Sequence, residues 1–198
     1  MKKILLLLLA AVGITTISDA QVMFGPMAGL NISIVSTSVD EGDAPEATSG
    51  IGFFIGGMAD ISVSDKFSVR PELHFSVRGV TDDSGEEDVK ASDYFLEIPI
   101  LASIKPSENF NIHVGPQIGL LIGGKATFGD EDITGSDYTE GRNGFELGLA
   151  AGASYETDGG LGIGFRYVRG LTSLYEDTDG FTANYNVLQL FASYTLGK

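Results

Sequence analysis

Glu72, His74 and Ser76 stand two residues apart, and a carboxylate, an imidazole and a hydroxyl are the groups from which an activated nucleophile is assembled. On a β-strand that spacing puts all three on one face. Arg70, Arg78, Glu97, His113, Glu146 and Arg166 lie in neighbouring segments, so that Arg70, Arg78 and Arg166 stand against Glu72, Glu97 and Glu146. Two chemistries are on offer: hydrolysis by a Glu72/His74/Ser76 set, or ion pairs that fill a closed interior. The chain has no cysteine, which excludes a thiol nucleophile and disulfides, and it shows no phosphate loop or metal-ligand motif, so no cofactor is expected.

The elements that position these groups decide between the two. Phe67, Val69, Pro71, Leu73, Phe75 and Val77 alternate with Ser68, Arg70, Glu72, His74, Ser76 and Arg78. Period two marks a strand whose faces meet different surroundings. The same reading gives eight segments, at about 24–34, 51–62, 67–78, 93–104, 110–123, 144–156, 161–172 and 185–196. Each is about the 9 to 11 residues that a tilted strand needs to cross an outer membrane. Phe95 and Leu101 break the pattern by falling on the polar side, and Arg169 breaks it by falling on the apolar side.

Between the segments, short turns at Ser64–Lys66, Lys105–Asn109 and Thr157–Gly160 alternate with long acidic loops at about 35–50, 79–92, 124–143 and 173–184. That alternation predicts an all-β fold, an eight-stranded antiparallel up-and-down transmembrane β-barrel with its long loops outside the cell. Aromatic residues are placed to match. Phe67, Phe110, Tyr155 and Tyr194 sit on the apolar face near the short turns, and Phe53, Tyr94 and Phe145 near the long loops, as two interfacial girdles require.

The N-terminus fits export. Lys2 and Lys3 precede an apolar run from Ile4 to Val12, and Ser18-Asp19-Ala20 presents small residues before a cut at Gln21. Residues 1–20 are therefore expected to be a signal peptide and 21–198 the barrel domain. The mature part has 10 basic residues against 26 acidic ones, a formal charge of -16, which excludes nucleic acid as a partner.

The phrases Gly25-Pro26-Met27-Ala28-Gly29-Leu30-Asn31, Tyr94-Phe95-Leu96-Glu97-Ile98-Pro99-Ile100 and Gly115-Pro116-Gln117-Ile118-Gly119 resemble the PorT-like outer-membrane β-barrel domain common in Bacteroidetes. The likeness extends through Arg166-Tyr167-Val168-Arg169-Gly170-Leu171 to Tyr194-Thr195-Leu196. It implies the barrel fold and an outer-membrane location, and it implies no activity. The closing Leu196-Gly197-Lys198 departs from the aromatic end of the general outer-membrane pattern.

An eight-stranded barrel leaves room inside only for side chains. Arg70, Glu72, His74, Arg78, Glu97, His113, Glu146 and Arg166 are accordingly expected to form a lumen ion-pair network, because buried charges persist only when paired. The expected function is a non-enzymatic structural or surface-interaction role. A lipid hydrolase using Glu72/His74/Ser76 is the first alternative, although these groups would point away from lipid. A soluble lipocalin-like carrier is the second, although a carrier wants an apolar lumen. Outer-membrane lipid and the outer-membrane assembly machinery are the expected partners. Seventeen of the 26 mature acidic residues fall in the long loops, so divalent cations or surface partners are expected there, with Gly129-Asp130-Glu131-Asp132 the best cation candidate.

Overall fold

A computed structural model describes residues 21–39, 47–82, 89–128, 131–134, 136–176 and 180–197. The expected signal peptide lies outside the described residues. Strands β1 (Val22–Val39), β2 (Thr48–Ser64), β3 (Phe67–Asp82), β4 (Val89–Ser107), β5 (Phe110–Phe128), β7 (Phe145–Glu156), β8 (Leu161–Gly170) and β9 (Phe181–Tyr194) form a ring, with a short β6 (Glu131–Thr134) added to the outer end of β5. All pairings are antiparallel, and the pairing of β4 with β5 is part of the closed ring. Closure removes the sheet edge, so the backbone donors and acceptors of the spanning segment are satisfied within the ring, which lipid demands.

Alternation sets what faces where. In β3 every residue expected inside, from Ser68 through Arg78, is buried, and Leu73 is 53% exposed. Ile163 and Phe165 on β8 are likewise 62% and 54% exposed. A soluble carrier would turn such side chains inward, so the outward apolar surface excludes that alternative.

Phe67, Phe110, Tyr155 and Tyr194 are exposed at the short-turn end, while Phe53 and Phe145 are exposed and Tyr94 half-buried at the other. Val77 pairs with both Phe53 and Tyr94, so the girdles are separated by the rise from Phe67 to Val77. About ten steps of about 3.3 Å, tilted about 40°, give roughly 25 Å, the height of an apolar barrel band.

The loop boundaries need correction. β1 runs to Val39 and β2 starts at Thr48, where a loop was expected from 35 to 50. β3 and β4 pair through Thr81 and Lys90, and β5 continues to Phe128 before turning into β6. Hydrophobic alternation reports where lipid ends, not where the ladder ends. Above the membrane the outward face of a strand meets water while its inward face still packs, as Ala183 and Tyr185 do in a buried cluster joined by Val35 and Val80, so the lipid-facing apolar row ends while the backbone pairing continues.

At the short-turn end the connections are tight. In the turn Thr157–Gly160 the Gly160 N–H donates to the Thr157 carbonyl at 2.9 Å, and Gly160 has φ 83°, a conformation that costs an L side chain. Arg169 keeps its outward position without a bulge in β8 and donates to Asn186 Oδ1 at 3.0 Å, close to the long-loop end.

Candidate functional site

The lumen is lined by the inward faces of all eight ring strands, and its arginine–glutamate network stands on β3, β4, β7 and β8, with His113 on β5. Large inward groups are set against glycines on the neighbouring strand. Gly152 pairs with Arg166 and Gly56 with His74. A Cβ on Gly152 would lie 2.8 Å from the Arg166 Cα, and one on Gly56 would lie 2.8 Å from the His74 ring. These absent side chains leave the space through which Arg166 and His74 turn across the barrel.

Glu72 receives most of these groups. Arg166 from the opposite wall donates to it through both terminal nitrogens, at 2.7 and 2.8 Å, a bidentate charge-assisted pair. His74 Nε2 lies 3.1 Å and Arg70 Nε 3.3 Å from the same carboxylate. The Arg70 guanidinium also meets the Met58 sulfur. His74 links this lower group to an upper one, with its Nδ1 3.9 Å from Glu97.

In the upper group Arg78 donates to Glu97 at 2.8 Å and to Glu146 at 2.7 Å, so one guanidinium bridges carboxylates from β4 and β7. Its Cζ lies 4.4 Å from the Phe95 ring centroid and 5.0 Å from that of Tyr185. Phe95 therefore belongs inside as the platform for a buried cation. Leu101, the other exception in β4, is fully buried in an inward apolar cluster with Phe95, Ala150 and Val168. The matching is not one cation to one carboxylate. Glu72 takes two arginines, and Arg78 takes two carboxylates.

The Glu72/His74/Ser76 set does not assemble as a nucleophile. The Ser76 hydroxyl accepts from Asn31 Nδ2 at 2.9 Å, while the His74 ring nitrogens face Glu72, Met27 and Glu97. His113 instead lies 2.8 Å from Ser154 Oγ, but its Nδ1 has no protein hydrogen-bond partner and so no carboxylate orients it. All five of these side chains are buried in the lumen.

A second charged cluster closes the outer mouth, and the pattern of strands did not point to it. A short helix α1 (Ser136–Thr139) and the residues after it fold over the mouth. Arg142 reaches Asp93 on β4 at 2.5 Å, Tyr138 donates to the same carboxylate at 2.5 Å, and Tyr185 donates to it at 2.7 Å. Backbone pairing of Arg142 with Tyr175 ties this cap to the connection before β9. Burial, and then the Asp93 charge, raise the Tyr138 phenol above its ordinary value, so it remains a neutral donor. Burial opposes the Arg142 charge, but Asp93 outweighs it and holds the guanidinium ionised. One sequence signal could have marked the cluster. Arg142 is the single arginine in the four acidic loops.

Of the cation candidate, residues 129 and 130 lie outside the described residues, and Asp132 accepts from Thr127 Oγ1 at 2.8 Å. No group of three or more His, Cys, Asp or Glu is placed to hold a metal among the described residues.

Residues 18–176 match the family model of the outer membrane protein beta-barrel domain. No curated protein sequence matches the chain. Among solved structures it is similar to Neisserial surface protein A, with 16% identity, 86% of this chain and 96% of that one covered, and a TM-score of 0.53. It is also similar to Ail, the attachment invasion locus protein of Yersinia pestis, in complex with the heparin analogue sucrose octasulfate. That match has 13% identity, covers 89% of this chain and 99% of that one, and has a TM-score of 0.51. At these identities the likeness concerns the fold.

Proposed function

This chain belongs to the outer membrane protein beta-barrel domain family, and from that membership we propose that it is a closed, non-enzymatic barrel of the outer membrane with a structural or surface-interaction role. The observation that carries this reading is Arg78 held between Glu97 and Glu146 and flanked by Phe95 and Tyr185. Four strands contribute to that one contact, which reaches across the lumen from β3 to β7 and β9 and supports a plugged interior. The buried position of His74 and Ser76, away from lipid, argues against hydrolysis of lipid. Within the family, the phrases around Tyr94–Ile100 and Gly115–Gly119 support the PorT-like branch as the finer placement.

What the barrel offers the exterior is negative charge. A polyanion such as the heparin analogue held by Ail is therefore not the expected ligand here. Cationic surface partners, or divalent cations among the loop carboxylates, suit this charge better. Planar-bilayer recording tests the closed lumen. The unmutated protein should show no large, steady conductance, and such a conductance would reject the plug.

A further inference from the structure

Asn143 stands where the cap joins the barrel wall. Its N–H donates to the Leu174 carbonyl at 2.8 Å, and the neighbouring Gly144 carbonyl accepts from the Leu121 N–H at 3.0 Å, so two consecutive residues tie the cap to the connection before β9 and to β5. The side chain adds a third contact. Asn143 Oδ1 accepts from the Phe145 N–H at 3.0 Å, an Asx turn that folds the side-chain amide back over the Gly144 peptide group between them.

That fold-back sets an amide carbon beside a backbone nitrogen, and holding two reacting groups together is itself a large part of a rate. Among the described residues the Gly144 N–H donates to no acceptor, and Gly144 is exposed and has no side chain to shield its nitrogen. The Phe145 N–H already points at the oxygen on which negative charge would collect if that nitrogen attacked Asn143 Cγ, and a backbone donor so placed stabilises a tetrahedral oxyanion. No other asparagine has this neighbour. Asn31, Asn109, Asn111, Asn184 and Asn186 are followed by Ile32, Phe110, Ile112, Tyr185 and Val187, whose side chains crowd the same approach.

We infer that Asn143 is a site of self-modification that slackens the cap. The Gly144 nitrogen, losing its proton to hydroxide, attacks Asn143 Cγ. The new C–N bond closes a succinimide ring, and the side-chain nitrogen takes a proton from water and leaves as ammonia. Water then opens the ring at either carbonyl, giving aspartate or isoaspartate at position 143. Both products carry a carboxylate in place of a neutral amide, beside Arg142 of the cap. Isoaspartate also routes the backbone through the former side chain, which lengthens it by one methylene between the bond to Leu174 and the bond to Leu121.

The folded, full mature protein in detergent is incubated at mildly alkaline pH, digested and mapped by mass spectrometry, with isoaspartate located by electron-transfer fragmentation. Asn143 should convert while the other asparagines stay intact. Gly144→Ala should slow the conversion several-fold. This variant should fold, because a Cβ at position 144 meets nothing within 4 Å, and heat-modifiable migration checks that it does. The same chain unfolded in urea is incubated alongside. Asn143 that stays intact in the folded protein overturns the inference, and its conversion in urea alone would show that the Asx turn locks the amide instead of priming it. Conversion that Gly144→Ala leaves unchanged also overturns it. In the converted protein, separated by its added negative charge, hydrogen exchange at Leu121 should be faster than in the unconverted protein, and equal protection there overturns the effect on the cap.

Discussion

Among the described residues Arg78 is the one arginine paired with Glu97 and Glu146, and this makes substitutions in the lumen unequal. Arg78→Leu leaves two buried carboxylates facing each other without a counter-charge, whereas Glu97→Gln leaves Arg78 still paired with Glu146. Breaking a buried pair costs about 3–5 kcal/mol. Arg78→Leu should reach at least that range, Glu97→Gln should cost clearly less, and Glu140→Ala, in an exposed loop, should cost almost nothing. Denaturant midpoints of the folded protein in detergent check the order, and equal midpoints for the two lumen variants would remove the bridging role of Arg78. The residues of this network were legible in the sequence because parity alone sends Arg70, Glu72, Arg78, Glu97, Glu146 and Arg166 to one side of the wall. Who pairs with whom was not legible. Arg166 meets Glu72 across the barrel, a contact set by side-chain length and by the space opposite Gly152, neither of which alternation encodes.

At the scale of the element, one residue of register separates lipid from lumen. Leu73 and His74 are neighbours, with Leu73 53% exposed and His74 fully buried. In this cysteine-free chain, Leu73→Cys should react readily with a lipid-soluble maleimide and His74→Cys hardly at all; comparable labelling would mean that β3 is out of register. Strand centres were readable for the same reason that a slip is so costly, since it would exchange a whole apolar face for a charged one. Strand ends were not readable, because beyond the girdles the outward face meets water and no lipid-facing apolar row marks the ladder, although residues such as Ala183 and Tyr185 still pack inward. The cap over the mouth was hidden more deeply still. Asp93, Tyr138, Arg142 and Tyr185 come together from three separated stretches, and only the isolated arginine hinted at a specific partner. Because the Arg142 side chain is 11% exposed and tied to Asp93, trypsin should leave the folded protein intact at this bond. Asp93→Asn should loosen the cap and give a fragment ending at Arg142, identified by mass, while heat-modifiable migration remains normal. Continued protection in Asp93→Asn would show that the cap is held by something other than this carboxylate.

The whole molecule has two unlike ends, and the difference fixes its orientation. Tight turns such as Thr157–Gly160 close one rim, while the opposite rim carries the strand extensions, the cap and the acidic connections. Long polar connections lie outside the cell in barrels of this kind, and an even number of ring strands returns both ends of the barrel domain to the other side. The outer face is then strongly negative, so encounter with a cationic partner should be fast at low salt and slow steeply as ionic strength rises. Orientation and export are testable together. A small epitope inserted in the connection between β3 and β4 should be reached by antibody on intact cells. The same epitope at Gly159 should be reached only after the outer membrane is permeabilised. Both tagged chains should fractionate with the outer membrane, and sequencing from the N-terminus should begin at Gln21, with the two lysines and the apolar run of the leader removed. Labelling of the Gly159 epitope on intact cells would invert the barrel and assign the acidic rim to the periplasm. An N-terminus at Met1 would instead leave the orientation standing and remove the signal peptide, so the two outcomes separate the two claims.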